Sequence, residues 1–296
     1  VRVEVRAAGL NFVDALFVGG QYQIKPPLPF TPGSELAGVV TEVGNEVDGL
    51  AVGDRVLASI WLGAFATEVV IDAHQAIRIP DGVDDARAAT IGQSYCTGLF
   101  ALETRGGLRP GETLLVLGAG GGVGLAAVDI GIALGATVIA AASSDTKLAA
   151  CAELGAAHTI NYSAEPLKDR ARELSGGGVD MVYDPVGGDL AEQALRAMGD
   201  DGRFLVIGFA SGSIPKLPAN QILLRNRRVI GVDWGRWTMQ DPAGNRALLD
   251  RTLAGVAEGT FRPVAPATYP LEEVSTALRD LLERRVTGKA VLVPGL

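Results

Sequence analysis

Seven consecutive residues carry the clearest chemistry: Gly118-Ala119-Gly120-Gly121-Gly122-Val123-Gly124. The five residues before them, Thr113–Leu117, read as a buried strand. An apolar helix follows from 122 to about 134 and stops at Gly135, a residue suited to the left-handed turn past a helix end. A glycine turn between strand and helix presents free backbone N–H groups at the positive end of the helix dipole. Without a Cβ in the way, a phosphate can approach that backbone closely. A second strand over 136–142 completes the span of a βαβ unit, the setting in which such a turn binds the pyrophosphate of a dinucleotide. The competing reading is a glycine turn that only packs helix against sheet.

The end of that second strand bears on which dinucleotide. An acidic residue about 20 positions beyond the glycine motif binds a ribose 2′-hydroxyl. Here the stretch is Ala142-Ser143-Ser144-Asp145-Thr146-Lys147, and Ser143 stands where the acid would. The hydroxyls of Ser143 and Ser144, with the Lys147 ammonium close behind, suit a 2′-phosphate. NADPH is therefore favoured over NADH. Asp145 stands against this as a possible displaced acid; it also reads as the N-cap of the next helix, with Lys147 a solvated helix residue.

The elements that must hold these groups alternate from Pro110 onward. Strands are expected at Thr113–Leu117, Thr137–Ala142, 158–160, 180–183, 203–207 and 229–232. Helices are expected between them at 122–134, Asp145–Leu154, 166–175, 190–198 and 218–225. Six strands with intervening helices predict an α/β fold with a doubly wound parallel sheet. Before this, short alternating runs at 1–5, 38–43, Arg55–Ser59 and 66–71, broken by Gly, Pro and Asp, predict a compact β-rich domain. A helix over 84–105 bridges the two. After Trp237 come helices over 245–258 and 271–284 and a closing strand, Ala290–Val293, which return to the first domain. Val1 already sits in an alternating run, so the sequence is expected to begin inside a domain.

The chain has 296 residues, 48% hydrophobic and 20% charged, enough for a sizeable core in two domains. Its net charge of −8 argues against a nucleic-acid or membrane-surface partner. Two cysteines, Cys96 and Cys151, form neither a disulfide framework nor a metal cluster, which suits a reducing cytoplasm. The long apolar run over 125–142 carries Asp129 and internal glycines and reads as helix plus strand rather than a membrane span.

Several stretches together are similar to one family: Ala8-Gly9-Leu10-Asn11-Phe12-Val13-Asp14, Gly20-Gln21-Tyr22, Pro32-Gly33-Ser34-Glu35-Leu36-Ala37-Gly38-Val39-Val40, the glycine turn, Asn161-Tyr162, Asp184-Pro185-Val186-Gly187-Gly188 and Gly288-Lys289. The chain resembles, over nearly its whole length, the zinc-free medium-chain dehydrogenases/reductases, closest to NADPH:quinone oxidoreductases of the ζ-crystallin type. The resemblance implies a GroES-like β-rich catalytic domain built from both chain ends (1–96 and 236–296) around an NADPH-binding Rossmann domain (97–235). It also implies a few tens of residues before Val1, the nicotinamide in a cleft, and a homodimer joined along the edge strand of the Rossmann sheet.

For individual residues the resemblance implies the following. Zinc-dependent relatives place a cysteine where this chain has Asn11 and a histidine where it has Ser34; neither replacement is a good zinc ligand, so no metal is expected. Tyr22 is the candidate donor to a developing oxyanion, the alternative being a loop tyrosine packed by Pro26 and Pro27. Asn11 would lie near the nicotinamide, and Asp14 would orient Asn11 or cap a short helix. Gly121, Gly122 and Val123 would offer backbone donors to the pyrophosphate. Tyr162 would lie near the 2′-phosphate, Thr97, Val186, Gly208, Phe209 and Asn226 around the ribose and nicotinamide, and Lys289 would reach the cofactor from the last loop. Trp61, Tyr95, Trp234 and Trp237 are candidates for an aromatic substrate pocket. Cys96 reads as a buried, inert thiol.

The activity implied is hydride transfer from NADPH to a small-molecule quinone or α,β-unsaturated carbonyl, a reaction that needs no Lewis acid. Two other readings stay open: an enoyl-thioester reductase, and a non-catalytic NADPH-binding protein of ζ-crystallin type.

Overall fold

A computed structural model describes residues 1–22 and 24–296. The chain divides into two compact units: Val1–Gln93 with Asp250–Gly259 and Pro263–Leu296, and Ser94–Leu249 with Thr260–Arg262. In chain order the elements are β1 (Arg2–Leu10), α1 (Phe12–Val18), β2 (Glu35–Glu42), β3 (Arg55–Ser59), β4 (Glu68–Val70), β5 (Ala76–Arg78) and α2 (Asp85–Leu99). A π-helical turn, Phe100–Arg105, extends α2. Then come β6 (Thr113–Leu117), α3 (Gly122–Ala133), β7 (Thr137–Ala142), α4 (Asp145–Leu154), β8 (His158–Asn161), α5 (Leu167–Leu174), β9 (Val179–Asp184), α6 (Gly188–Ala197), β10 (Met198–Val206), α7 (Ala219–Leu223) and β11 (Arg228–Gly231). The last are α8 (Trp234–Gln240), α9 (Pro242–Ala257), β12 (Ala267–Pro270), α10 (Val274–Leu282) and β13 (Ala290–Val293).

The first unit holds a seven-stranded sheet in the order β12-β13-β1-β2-β3-β5, with β4 also paired to β1. Its pairs are antiparallel except β12 with β13. In β1 the alternation that marks a half-buried strand puts Val3 and Val5 in the core and Arg2 and Arg6 outside. Leu36, Val40, Val56 and Leu292 complete that core from neighbouring strands.

The second unit holds a six-stranded parallel sheet, order β11-β10-β9-β6-β7-β8. Its central strands β6 and β7 are almost continuously buried, as strands covered on both faces must be. Gly131 lets α3 lie directly on them; a Cβ there would fall 2.7 Å from Leu114 Cδ2. The α/β class and the doubly wound sheet match the expectation from the sequence. Among the described residues no helix is long and apolar enough to cross a membrane.

Three contacts lie where the second unit ends. Residues 236–249 lie in it, and there the Trp237 ring stacks on Phe100 at 4.7 Å and 22°. Thr260–Arg262 lie in it because Asp129, buried in α3, accepts hydrogen bonds from the Arg262 backbone N–H (2.6 Å) and the Tyr95 hydroxyl (2.8 Å). The charge that argued against a membrane span thus ties a distant segment to the helix. Three elements have no counterpart in the sequence expectation, β5, α8 and β12, while α1 is the short helix offered as one alternative for Asp14.

Candidate functional site

In the second unit the strand order reverses at β6. The chain moves through β7 and β8 on one side and through β9, β10 and β11 on the other. Open parallel sheets bind ligands outside the carboxyl ends of their strands at such a reversal. Because the strands are parallel, Gly118, Ser143, Tyr162, Val186 and Gly208, each just past a strand, share one edge. Gly122, Val123, Ser144, Lys147 and Phe209 follow them on it. Asn226 does not join them. It precedes β11, in the left-handed region at φ 51, and so lies at the opposite, N-terminal edge of the sheet. Thr97 is half-buried on α2.

Three glycines of the turn, Gly118, Gly120 and Gly124, each answer to a close neighbour. A Cβ on Gly118, itself at φ +56, would meet Val186 Cγ2 at 2.8 Å, and one on Gly124 would meet the Gly118 carbonyl oxygen at 2.2 Å. A Cβ on Gly120 would fall 2.4 Å from Lys147 Cβ, so the lysine stem lies directly across the turn. Gly121 was expected to donate to a phosphate. Instead its N–H closes the turn on the Gly118 carbonyl at 2.9 Å. The helical bonds begin with Leu125 N–H to Gly121 O at 2.8 Å. Gly122, Val123 and Gly124 therefore occupy the first-turn positions whose N–H groups have no partner within the helix.

Two carboxylates shape the rest of this edge. Asp145 accepts a hydrogen bond from Asn161 Nδ2 at 2.8 Å, and the N-cap position before α4 belongs to Ser144, not Asp145. The carboxylate that could have read a 2′-hydroxyl is thus engaged by the neighbouring strand end. Asp184 was singled out only as part of a motif. Its Oδ1 accepts from the N–H groups of Val186 (2.8 Å) and Gly187 (2.9 Å), and its carbonyl accepts from Ile207 N–H (2.9 Å) and Gly208 N–H (3.3 Å). One residue at the end of β9 therefore fixes both loops beside the glycine turn. Burial raises its pKa, against the pull of the two amides. The signal in the sequence was an Asp at a strand end followed by Pro-Val-Gly-Gly.

In the first unit the structure gathers Asn11, Asp14, Ser34, Glu35 and Lys289. Glu35 is 2% exposed, and its Oε1 accepts from Lys289 Nζ at 2.6 Å and from Asn11 Nδ2 at 2.9 Å. Its Oε2 accepts from Gln93 N–H at 3.0 Å. Lys289 Nζ also donates to Asn11 Oδ1 (2.5 Å) and Leu10 O (2.8 Å). An ammonium has three donors, so all three are committed here; this is the physical reason Lys289 cannot also serve a cofactor phosphate in this arrangement. Glu35, quoted in a motif but given no role from the sequence, is the centre of the cluster.

Asp14 closes the cluster from α1. Its Oδ2 accepts from Asn11 N–H at 2.8 Å, capping the helix. Burial pushes its pKa up from 3.8 to about 7. The Asn11 amide, the Lys289 charge and Ser34 oppose that shift; the Glu35 charge adds to it. Tyr22 lies half-buried after α1, with its ring 4.7 Å from Phe17 at a 58° tilt.

This donor set does not fit zinc. Asn11 and Ser34 offer an amide and a hydroxyl 3.4 Å apart, and a metal cation beside them would face the Lys289 ammonium. Among the described residues no group of three His, Cys, Asp or Glu side chains could hold a metal ion.

Of the aromatic residues expected around a substrate, Tyr95, Trp234 and Trp237 belong to the second unit and Trp61 to the first. Tyr95 is buried, donates its hydroxyl to Asp129 and packs on Phe261 at 5.7 Å. Trp234 is buried and Trp237 stacks on Phe100, while Trp61 is half-exposed in the first unit. Cys96 is fully buried; so is Cys151, whose thiol burial pushes up to about 12.

Known proteins give the site its setting. A model described as alcohol dehydrogenase GroES-like domain matches residues 1–81, and one described as zinc-binding dehydrogenase matches residues 122–250. Quinone oxidoreductase-like protein 2 of Bos taurus is 42% identical over 295 residues, 99% of this chain and 84% of the relative. The chain belongs to the zinc-free quinone oxidoreductase family of medium-chain dehydrogenases/reductases. A solved probable oxidoreductase from Mycobacterium abscessus is 38% identical with a TM-score of 0.89, covering 99% of this chain and 90% of that one. Escherichia coli quinone oxidoreductase, solved in complex with NADPH, is 30% identical with a TM-score of 0.88, covering 99% and 91%. Within this family the first matched domain carries Asn11, Asp14, Ser34 and Glu35, and the second begins at Gly122, inside the glycine turn, and carries Ser143, Lys147 and Asp184.

Proposed function

We propose that this protein is an NADPH-dependent reductase that transfers hydride to a quinone or an α,β-unsaturated carbonyl without a metal. The observation that carries the reading is Lys147. Its stem crosses Gly120 at the strand reversal, next to Ser143 and Ser144, where an anion-binding helix N-terminus opens. Gly122 and Val123 offer main-chain donors to a pyrophosphate, and the lysine with its two serines holds a 2′-phosphate. Asp184 keeps the flanking loops in place. The NADPH complex of the E. coli relative supports the same cofactor.

The chemistry the cofactor supplies when bound is a hydride from C4 of its reduced nicotinamide. Hydride arrival at a quinone ring or an alkene β-carbon leaves negative charge on the acceptor's carbonyl oxygen. Tyr22 is the proposed donor to that oxygen: its phenol gives a hydrogen bond as charge develops, then a proton.

Lys147→Ala is expected to raise the Kd for NADPH about tenfold or more, the weight of one charge-assisted hydrogen bond, and to change NADH binding little. Fluorescence titration with both cofactors decides this; equal losses argue against the 2′-phosphate assignment. For the reaction, NADPH oxidation is measured against quinones, enones, enals and enoyl-CoAs with wild type and Tyr22→Phe. Turnover of quinones or enones with kcat lowered by about tenfold or more in the variant supports both parts. An unchanged kcat on every acceptor removes Tyr22 from the mechanism, and turnover of enoyl-CoAs alone replaces the substrate class.

A further inference from the structure

Asn11 sits between a carboxylate and an ammonium that are themselves almost out of water. The Glu35 side chain is 2% exposed and that of Lys289 is 10% exposed. Oδ1 of Asn11 faces the ammonium, which can only donate, and Nδ2 faces Glu35 Oε1, which can only accept. Turning the amide over would set N–H groups against N–H groups and oxygen against oxygen. Only one orientation is allowed. The remaining Nδ2 hydrogen points to Ser34 Oγ at 3.4 Å, a long contact that a ligand oxygen could replace at little cost.

The backbone makes room for this arrangement. A Cβ on Gly9 would fall 2.2 Å from the Ala89 carbonyl and 2.6 Å from Glu35 Oε1. One on Gly92 would fall 2.5 Å from Ser59 Oγ and 3.3 Å from Glu35 Oε2. Two glycines thus leave space for a buried carboxylate. An ion pair this deep gives little stability over an apolar pair of the same volume, so its presence calls for another reason.

We propose that Glu35 and Lys289 are a positioning pair: a carboxylate and an ammonium that clamp the Asn11 side-chain amide in one orientation, so that Lys289 serves Asn11 and not a cofactor phosphate. The consequence for turnover rests on the reductase reading above; the clamp itself does not. Asn11 then presents a single N–H of fixed direction.

The test compares Lys289→Met with the double variant Glu35→Gln/Lys289→Met. The single variant strands a buried carboxylate, so its Tm is expected to fall by about 5 °C or more. The double variant removes both charges and is expected to recover most of that Tm. Its kcat is nonetheless expected to stay about tenfold or more below wild type, with the Kd for NADPH unchanged, because nothing distinguishes the two ends of the amide. Recovery of kcat along with Tm would overturn the proposal, leaving the pair structural. So would a Kd that rises for NADPH alone. The Asn11 Nδ2 protons give a readout free of turnover. In the wild type the hydrogen-bonded Nδ2 protons are expected to resonate away from the positions of a free asparagine amide in side-chain NMR, and in the double variant to move toward those positions. Unaltered Nδ2 resonances would also overturn the clamp. A wild type that turns over no acceptor would sink the reductase reading and leave this arm standing.

Discussion

Gly124→Ala is expected to weaken NADPH binding by about tenfold or more and to destabilise the second unit by about 1–3 kcal/mol. The added methyl would stand 2.2 Å from the Gly118 carbonyl oxygen, 2.8 Å from Ala119 Cα and 2.9 Å from the Gly118 carbonyl carbon. All three are main-chain atoms of the turn, so no side chain can swing away to relieve the contact. Either the helix start or the turn must move, and both carry the N–H groups proposed to meet the pyrophosphate. Gly121→Ala is the control within the same seven residues. Its Cβ would meet the Gly118 oxygen at 3.4 Å, an ordinary contact, from a backbone at φ −88 that alanine adopts freely. Thermal melts and fluorescence titrations of the two variants should separate them clearly. Equal effects, or a Gly124→Ala protein that binds NADPH as wild type does, would mean that the turn is not the phosphate cradle.

That turn was legible in the sequence because its logic is local. Strand, glycines and helix are adjacent in the chain, and each boundary is marked by a residue type. For the same reason β6, β7 and α4 occupy the ranges expected of them: two buried runs ended by Gly118 and Ser143, and a helical run ended by Gly155, leave few alternatives. Where partners are distant, the reading lost detail. Glu35 and Lys289 are 254 positions apart, and nothing near either one announces the other. Lys289 therefore read as a cofactor ligand when the fold commits it elsewhere. Trp237 and Phe100 hide the end of the second unit in the same way. Asn226 was misplaced for a subtler reason. A residue beside a parallel strand belongs to the ligand edge only if it follows the strand, and Asn226 precedes β11. The short α1 stayed one of two alternatives for Asp14, although Asn11 and Asp14 stand three apart, the spacing of a reciprocal cap. The strand β12 ends in Pro270 and pairs with β13 alone, so it carried little of the alternation that marks a strand.

Asp14→Asn is expected to abolish the pH dependence that this one carboxyl gives the first unit. In the folded protein its pKa is raised from 3.8 to about 7, chiefly by burial. The folded state then binds more protons than the unfolded state between those two values, so stability falls as pH rises through that window. Below about 4 the carboxyl is neutral in both states and costs nothing; above about 7 the full cost is present. Three pH units at ~1.36 kcal/mol each put that cost at roughly 4 kcal/mol. Asparagine keeps an oxygen for the Asn11 N–H, 2.8 Å from Oδ2 in the wild type, and carries no charge at any pH. Urea denaturation at pH 5 and pH 8 measures the difference. The variant should gain on wild type by roughly 3 kcal/mol between those values, the part of the window they span. Lys289 favours the ionised form of Asp14 and Glu35 disfavours it, so Lys289→Met should move the wild-type midpoint up and Glu35→Gln should move it down. Parallel curves for wild type and Asp14→Asn would show that the carboxyl is ionised throughout, and that the cluster carries a fixed charge where a titrating one is expected.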